Sequence, residues 1–514
     1  MPVQTGEQTT IKVKPLGLAP TYNETIVVLE STNIQSSNFK WLVDIYKGAP
    51  LDSDYELLST IVILPNPEGY GIIDFHRHIE NHISTDFYPA DVSEVIGRVS
   101  GAGLKWSFKV TEQFNNAVWR FGTNDSFSRD GGGTDVVGFI TNNVGGSLVK
   151  HPFITGDKVT ILQDAGFTHS EYNASNVTLT YDNEYTVITD IPKLSDTPVE
   201  AGLMTLEDRS TRTIEQVFAT DETTIYSFNG ALTFQGFRNW SAADYNMTGG
   251  SSNTTKFLTE APNVFNVTLS DRVWINGLQN DSTDAPTLGY IRTDNGTYGV
   301  DNSLVSAGQL FLTQNKIGAK DLLETTDSSI SVFVGSLPII DDNTTFIEFS
   351  QGISPLITRV SETITLNIVD DCSKHESIRF FYMDKLGSYL PVTFNKVSKN
   401  NITNTRSNYK QNYGSYDATS NVWGYTTYDK GNTTYDLTSK EVVTCTSDWM
   451  NEEGVAMVTS MLNSPIVYIQ DENGEYIAIT ITTNSYEVKK TVNDKLINYT
   501  ISFEYAQTNT NQRG

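Results

Sequence analysis

At 514 residues the chain has room for roughly three or four domains of ~150 residues each. Its 38% hydrophobic and 11% aromatic content supplies the apolar mass for packed cores, which excludes a disordered protein. The 35 Lys and Arg against 61 Asp and Glu leave a formal charge of −26. Such a chain does not coat nucleic acid, whose phosphates are bound by Lys and Arg that displace counterions. Nor does it dock on an anionic membrane surface. Solubility is the plainer use of that charge, and an acidic wall past which DNA slides is the functional one.

Thr, Tyr, Phe, Val and Ile favour half-buried pleated surfaces, and Asn, Asp and Gly favour turns. The expected fold is therefore mostly β, with several antiparallel β-sandwich or small-barrel domains and a few short helices. Four regions are expected: an N-terminal sandwich with one helix at 1–122, a Gly/Asn-rich linker plus small barrel at 123–200, a β-rich middle at 201–370, and a C-terminal antiparallel domain with one helix and a polar tail at 371–514. In the first region, the runs from Ile26, from Phe39 and from Leu57 read as strands. Trp41, Val43 and Ile45 alternate with Leu42, Asp44 and Tyr46, so one face can be buried. After the turn Asn66-Pro-Glu-Gly69, the residues Phe75, Ile79 and Ile83 form one stripe of a short helix that Asp74 can cap. Strands follow from Leu104 and from Val118.

The Gly- and Asn-rich passage contains Gly131-Gly-Gly133 and Asn143-Val-Gly-Gly146. Beyond it, short strands at Val159–Leu162, Val177–Leu179 and Tyr185–Ile188 have the even spacing of a small barrel. The middle region reads as looser β structure. Phe234, Phe237 and Trp240 are expected to cluster, and Val264–Leu269, Val273–Ile275 and Thr363–Ile368 are strands. Leu304–Leu323 fits either helix or strand. In the last region, Ser447 or Asp448 is the expected cap of a helix running to Leu462, which Asn463-Ser-Pro465 stops. A hairpin turning at Asp471-Glu-Asn-Gly474 follows. The final strand places Ile497, Tyr499, Ile501, Phe503 and Tyr505 on one face and polar residues on the other, as in a sheet with one solvated or partner-facing side.

Catalytic signatures are absent. There is no G-x-S-x-G elbow, no H-E-x-x-H helix and no Walker A loop, and Gly131-Gly-Gly133 lacks the following Lys-Ser/Thr. Neighbouring acids such as Asp341-Asp342 and Asp370-Asp371 are expected by chance among 61 carboxylates. His76, His78 and His82 form the one histidine cluster. On a helix His78 and His82 sit a turn apart and could share a metal with Asp74 or Asp86, but His76 and His78 diverge by roughly 200°. The commoner arrangement has these histidines flanking the apolar stripe, with His76 paired to Glu80. Cys372 and Cys445 show no C-x-x-C spacing and are expected as free, buried thiols. The opening Met1-Pro-Val-Gln-Thr-Gly-Glu has no basic or apolar leader, and no apolar run approaches ~18 residues. The expectation is a soluble protein made in a cytoplasm, with no enzyme activity and no cofactor.

The element Ile378-Arg-Phe-Phe-Tyr-Met-Asp-Lys-Leu-Gly-Ser-Tyr-Leu-Pro-Val-Thr-Phe394 resembles a strand–Gly turn–strand unit of tailed-phage virion proteins. The likeness continues through Asn395–Lys399, Ser447-Asp-Trp449, Ser464–Ile469, Asn484–Lys489 and Asn493–Leu496 to Tyr505. It returns at Gly17–Tyr22, Gly69–Asp74 and Phe153–Gly166. Across about half of the chain these motifs resemble the neck-and-tail structural proteins of crAss-like phages. The resemblance implies a multi-copy ring, hub or muzzle subunit of the virion. It would be made in the bacterial host, in contact with copies of itself and with other tail or neck proteins, and DNA would be only its passing cargo. Trp449, Tyr499, Tyr505 and Gln507 are the candidate interface residues. An alternative is a tail or head fibre adhesin, whose Asn/Thr/Tyr-rich surfaces would contact host glycans; against it, no internal repeat or heptad is present.

Overall fold

A computed structural model describes residues 4–5, 9–34, 36–50, 52–84, 87–89, 91–99, 101–115, 118–121, 127–130, 135–140, 143–144, 147–148, 151, 153, 155–163, 173–183, 186–192, 202–207, 211–216, 218–247, 253–280, 287–302, 310–353, 358–370, 374–471, 473–483 and 497–507. The protein is mostly β, built from several sheets of largely antiparallel strands with a few short helices. Contacts divide it into two compact units. One comprises Met1–Thr85 and Gly101–Phe237, the other Asp86–Ser100 and Arg238–Gly514.

In the first unit, the strand Gly103–Asn115 pairs with Ser37–Lys47, Thr211–Glu215 and Thr224–Phe228. A smaller sheet of Thr9–Val13, Ile26–Ser31 and Tyr70–Asp74 shares its core. Alternation decides which side chains enter that core. Trp41, Val43 and Ile45 from one sheet and Val27, Leu29 and Ile73 from the other are at most 3% exposed. Gly71 is required where the sheets meet, because a Cβ there would lie 2.8 Å from the Trp41 ring. The turn before it forms as expected, with Gly69 at φ +92° and its N–H on the Asn66 carbonyl. Phe75, Ile79 and Ile83 are buried as one stripe. The helix beneath them is short, however. His76–Ile79 is α-helical and Glu80–His82 is a 3-10 turn.

The expected barrel is an open sheet. Seven strands run in the order Val118–Phe121, Gly202–Leu206, Lys158–Gln163, Ala174–Asn183, Thr186–Pro192, Asp135–Ile140, Phe127–Asp130, and the two end strands do not pair with each other. Closure into a barrel needs that last pairing. The strands expected for the barrel lie in the middle of the sheet, and flanking segments extend it at both sides. Gly131-Gly-Gly133 lies outside the described residues.

The second unit packs two sheets across a shared core. The larger runs from Lys399–Lys410 through Asn432–Thr446, Thr500–Tyr505, Tyr476–Ile481, Val467–Gln470, Ile378–Met383, Tyr389–Phe394, Trp274–Asn280 and Leu310–Lys316 to Ile96–Arg98. The facing sheet contains Val264–Val267, Ile364–Ile368, Phe346–Ile353, Leu288–Thr293, Gly296–Asp301 and Ser331–Gly335. Leu304–Leu323 contributes both readings in its described part, the strand Leu310–Lys316 and then the helix Ala319–Glu324. That helix is tied to the sheet by Asp321, which accepts from Arg272, the Trp274 indole and the Val273 N–H at 2.8, 3.1 and 3.1 Å. Phe87 stacks on Tyr468 at 4.2 Å and joins Trp274, Phe381, Tyr389 and Tyr476 in an aromatic cluster. Phe234 stands exposed and Trp240 stacks on Tyr245, so the clustering expected around Trp240 gives way to that pair.

The hairpin turn between Met383 and Tyr389 rests on Asp384, 2% exposed. Its Oδ1 accepts the N–H groups of Leu386 and Ser388, and its Oδ2 accepts Thr259 and the Glu260 N–H. Gly387 supplies φ +87°. Burial pushes this carboxyl up to about 7 against those donors. The folded state thus holds a proton that the unfolded chain releases near the ordinary value of 3.8. The stability this adds is full below that value and is lost as pH rises through about 7. The urea midpoint of the wild-type protein is expected to fall from about pH 5 to about pH 8 through this group, and Asp384→Asn, which cannot titrate, removes that part of the slope. An unchanged slope in the variant would assign the pH dependence elsewhere.

Candidate interaction surface

The long hairpin Lys399–Lys410/Asn432–Thr446 lies at the edge of the larger sheet of the second unit. Its strands pair from Lys399↔Thr444 to Lys410↔Asn432, with an irregularity between Ser407 and Asn408. Eleven of the 12 residues of Lys399–Lys410 are exposed, so neither face of that strand packs on the body. The partner strand is anchored only at its C-terminal end. There Val443 and Cys445 are buried, and Thr444 and Thr446 hydrogen-bond across to Ser502 and Thr500 at 2.8 and 3.0 Å. The composition explains this. The outer strand reads Lys-Asn-Asn-Ile-Thr-Asn-Thr-Arg-Ser-Asn-Tyr-Lys, which is polar on both faces and gives no face to bury.

At the far end, a two-strand turn pairs Ser415–Asp417 with Val422–Gly424. Gly414, at φ +94°, lies where a Cβ would sit 2.5 Å from the Gly424 carbonyl oxygen, and a Cβ on Gly431 would strike the Tyr413 ring. Aromatic residues stand at the surface of this tip. Tyr416, Trp423, Tyr425 and Tyr428 are 57, 55, 71 and 80% exposed. Tyr413 meets Tyr425 edge-on at 5.6 Å, and Tyr409 meets Tyr435 at 6.1 Å.

A groove of about 600 Å³ opens beside the root of this hairpin. Trp449, 57% exposed, lines it together with Val264, Asp370, Asp448 and Glu453. Among the described residues lining it, none is Lys, Arg or His. Asp448 receives the Trp449 N–H at 2.7 Å and pairs with Lys396 at 3.1 Å. These contacts, the backbone one foremost, hold its carboxyl below the ordinary range despite partial burial. The helix at the groove edge spans Glu452–Leu462 and is capped by Asn451, whose side chain accepts the Gly454 N–H at 3.0 Å. Neither expected cap serves. Ser447 binds the Tyr499 N–H, and a bridge between Met450 and Ile497 keeps the preceding chain extended.

Of the candidate interface residues, Trp449 and Gln507 are exposed and Tyr505 is half-buried beside a second hollow of about 430 Å³. Tyr499 is 6% exposed and belongs to the core, so its ring does not reach the surface. The exposed aromatics of the hairpin were not singled out by the sequence. Their signal was a strand-length run of Tyr, Thr and Asn without apolar alternation.

The histidines do not converge. His76 Nδ1 pairs with Asp74 Oδ2 at 2.8 Å rather than with Glu80, because the helix tightens after one turn and loses its i+4 spacing. Burial raises the Asp74 carboxyl, but the bonds from His76 and the Thr25 N–H outweigh it and hold the group low. His82 is exposed, and Asp86 lies outside the described residues. Among the described residues, no three His, Cys, Asp or Glu side chains are grouped to hold a metal ion, and no helix is long and apolar enough to cross a membrane. Cys445 is buried, which pushes its thiol up to about 12. Cys372 lies outside the described residues. Asp471 accepts the Asn473 and Glu475 N–H groups at 2.9 and 2.7 Å, closing the expected hairpin turn.

Replacing Asn451 by Ala removes the helix cap at the groove. Chemical denaturation is expected to register a loss of about 1 kcal/mol; a loss indistinguishable from zero would mean that solvent replaces the cap. The chain matches no protein-family model and no curated protein.

Proposed function

We propose that this protein is a structural component of a bacteriophage virion, a multi-copy ring, hub or muzzle subunit of the tail or neck that helps line the DNA conduit. The observation that carries the reading is the ribbon at Lys399–Thr446, whose outer strand is exposed on both faces and whose tip carries exposed aromatic residues. A two-stranded ribbon alone in water is marginally stable, and exposed Tyr and Trp are the residues enriched where proteins meet. Such an element makes sense as an assembly contact. The likeness of Ile378–Phe394 and the motifs around it to neck-and-tail proteins of crAss-like phages supplies the virion context. The net charge of −26 suits a surface past which DNA moves without adhering.

The same aromatic tip, beside Asn and Thr, also favours a second reading, an adhesin that stacks on host sugars. Quantitative mass spectrometry of purified virions separates the structural proposal from its failure. Several copies per particle, at a fixed ratio to the other tail proteins, are expected. Absence from the particle would end the proposal.

A further inference from the structure

We infer that the groove at Trp449 is a docking site for an extended, cationic segment of another protein, which carries Lys or Arg beside apolar residues and adds to the edge strand in the groove wall. The inference goes beyond the virion reading and does not depend on it. The wall sets the shape of the ligand. Val264, Phe265, Asn266, Val267 and Thr268 line the groove in succession. Val264–Val267 is the end strand of its sheet and pairs on one side only, with Ile364–Ile368. The Thr365 N–H goes to the Asn263 carbonyl and the Val369 N–H to the Val267 carbonyl. Phe265 and Val267 therefore turn their backbone groups toward the paired strand, and Val264 and Asn266 turn theirs outward. Among the described residues, no strand pairs with that outer edge. Val264 and Asn266 are exposed, and Thr268, 8% exposed, has a hydroxyl without a hydrogen-bond partner among the described residues. An open sheet edge of this kind is completed by an extended backbone. At about 3.3 Å per residue the wall is roughly 16 Å long, which is room for about five residues of a partner.

Charge sets the sign of the ligand. Asp370 and Glu453 line the groove and are exposed, and Asp448 lines it half-buried. Two features oppose them. Lys396 pairs with Asp448 at 3.1 Å, and the helix Glu452–Leu462 brings its N-terminus to the groove, equivalent to about half a positive charge. Three carboxylates outweigh one lysine and half a charge. The rest of the chain, at a formal charge of −26, adds a field of the same sign. A cationic segment is therefore attracted and an acidic one repelled. Apolar chemistry supplies the anchor. Trp449, Val264 and Val369 are 57, 44 and 40% exposed in the groove. They offer cover to apolar side chains, and the indole offers a face on which a guanidinium or ammonium group can rest. An exposed indole among carboxylates favours a cation over a neutral strand of the same shape.

The test uses the full chain and fluorescence anisotropy. The probe is a fluorescein-labelled peptide of about eight residues in which Lys and Val alternate, the pattern of an added strand. One control peptide has Glu in place of Lys. Another has proline at its two central residues, which removes a donor from each edge of the strand. The Lys peptide is expected to bind with a Kd of roughly 10–100 µM and to weaken when salt is raised from about 50 mM to about 500 mM. Both controls should bind about tenfold more weakly or worse. Asp370→Asn combined with Glu453→Gln, and separately Trp449→Ala, should each weaken the Lys peptide by about tenfold, the scale of a lost anchor. Glu56→Gln combined with Glu68→Gln removes the same charge from exposed positions of the other unit. That variant should bind within about twofold of wild type, since screened charges act over a Debye length. Circular dichroism confirms that each variant is folded. No binding at up to about 1 mM, equal binding of the proline peptide, or losses in the groove variants no larger than in the Glu56 and Glu68 variant would overturn the inference. None of these outcomes touches the abundance of the chain in virions, so the two readings fail separately.

Discussion

Burial of every second side chain between facing sheets is the constraint on which both units depend. Trp41, Val43 and Ile45 in one unit, and Ile364, Leu366, Ile501 and Phe503 in the other, are buried on strands whose alternate residues are less buried. A strand with a period-2 apolar pattern packs on one face, and a strand that is polar on both faces has nothing to pack. The ribbon Lys399–Thr446 follows the second rule for most of its length and is held to the body at Val443 and Cys445. Its exposure is a direct consequence of its sequence. It is also why the ribbon, rather than any cleft in the core, is the surface that invites a partner.

The same logic separates what was legible in the sequence from what was not. The final strand could be read because Ile501 and Phe503 alternate with Thr500, Ser502 and Glu504, and the structure buries the first pair to 1% exposure. The stripe Phe75, Ile79 and Ile83 could be read for the same reason. The helix start at Asn451 was obscured because Ser447, Asp448 and Asn451 are all competent caps within five positions, and tertiary bonds to Tyr499 and Ile497 decide among them. The barrel expectation failed at closure, because spacing reports strands and not which ends of a sheet meet. The His76 pairing moved from Glu80 to Asp74 because a single helical turn gives way to a 3-10 turn.

The interaction surface was the hardest feature to read. Residues 411–431 have turn composition, and their aromatic content has the same appearance in a core as at an interface. Only the absence of any supporting sheet around Lys399–Lys410 separates those two possibilities. Trp449, by contrast, was identified from sequence and stands exposed in the groove, whereas Tyr499, identified on the same grounds, is core. Both follow polar residues in a β context. They differ because the chain at Tyr499 is bonded to Ser447 from within the sheet, while Trp449 caps its rim.

On the proposed reading, the exposed ribbon is where this chain meets its neighbours in the particle. The most direct measurement is a cryo-EM map of the phage particle with this chain placed in it. The account predicts copies arranged around the tail axis, each ribbon packed against a neighbouring protein. A particle without the chain, or copies whose ribbons extend into solvent, would contradict it.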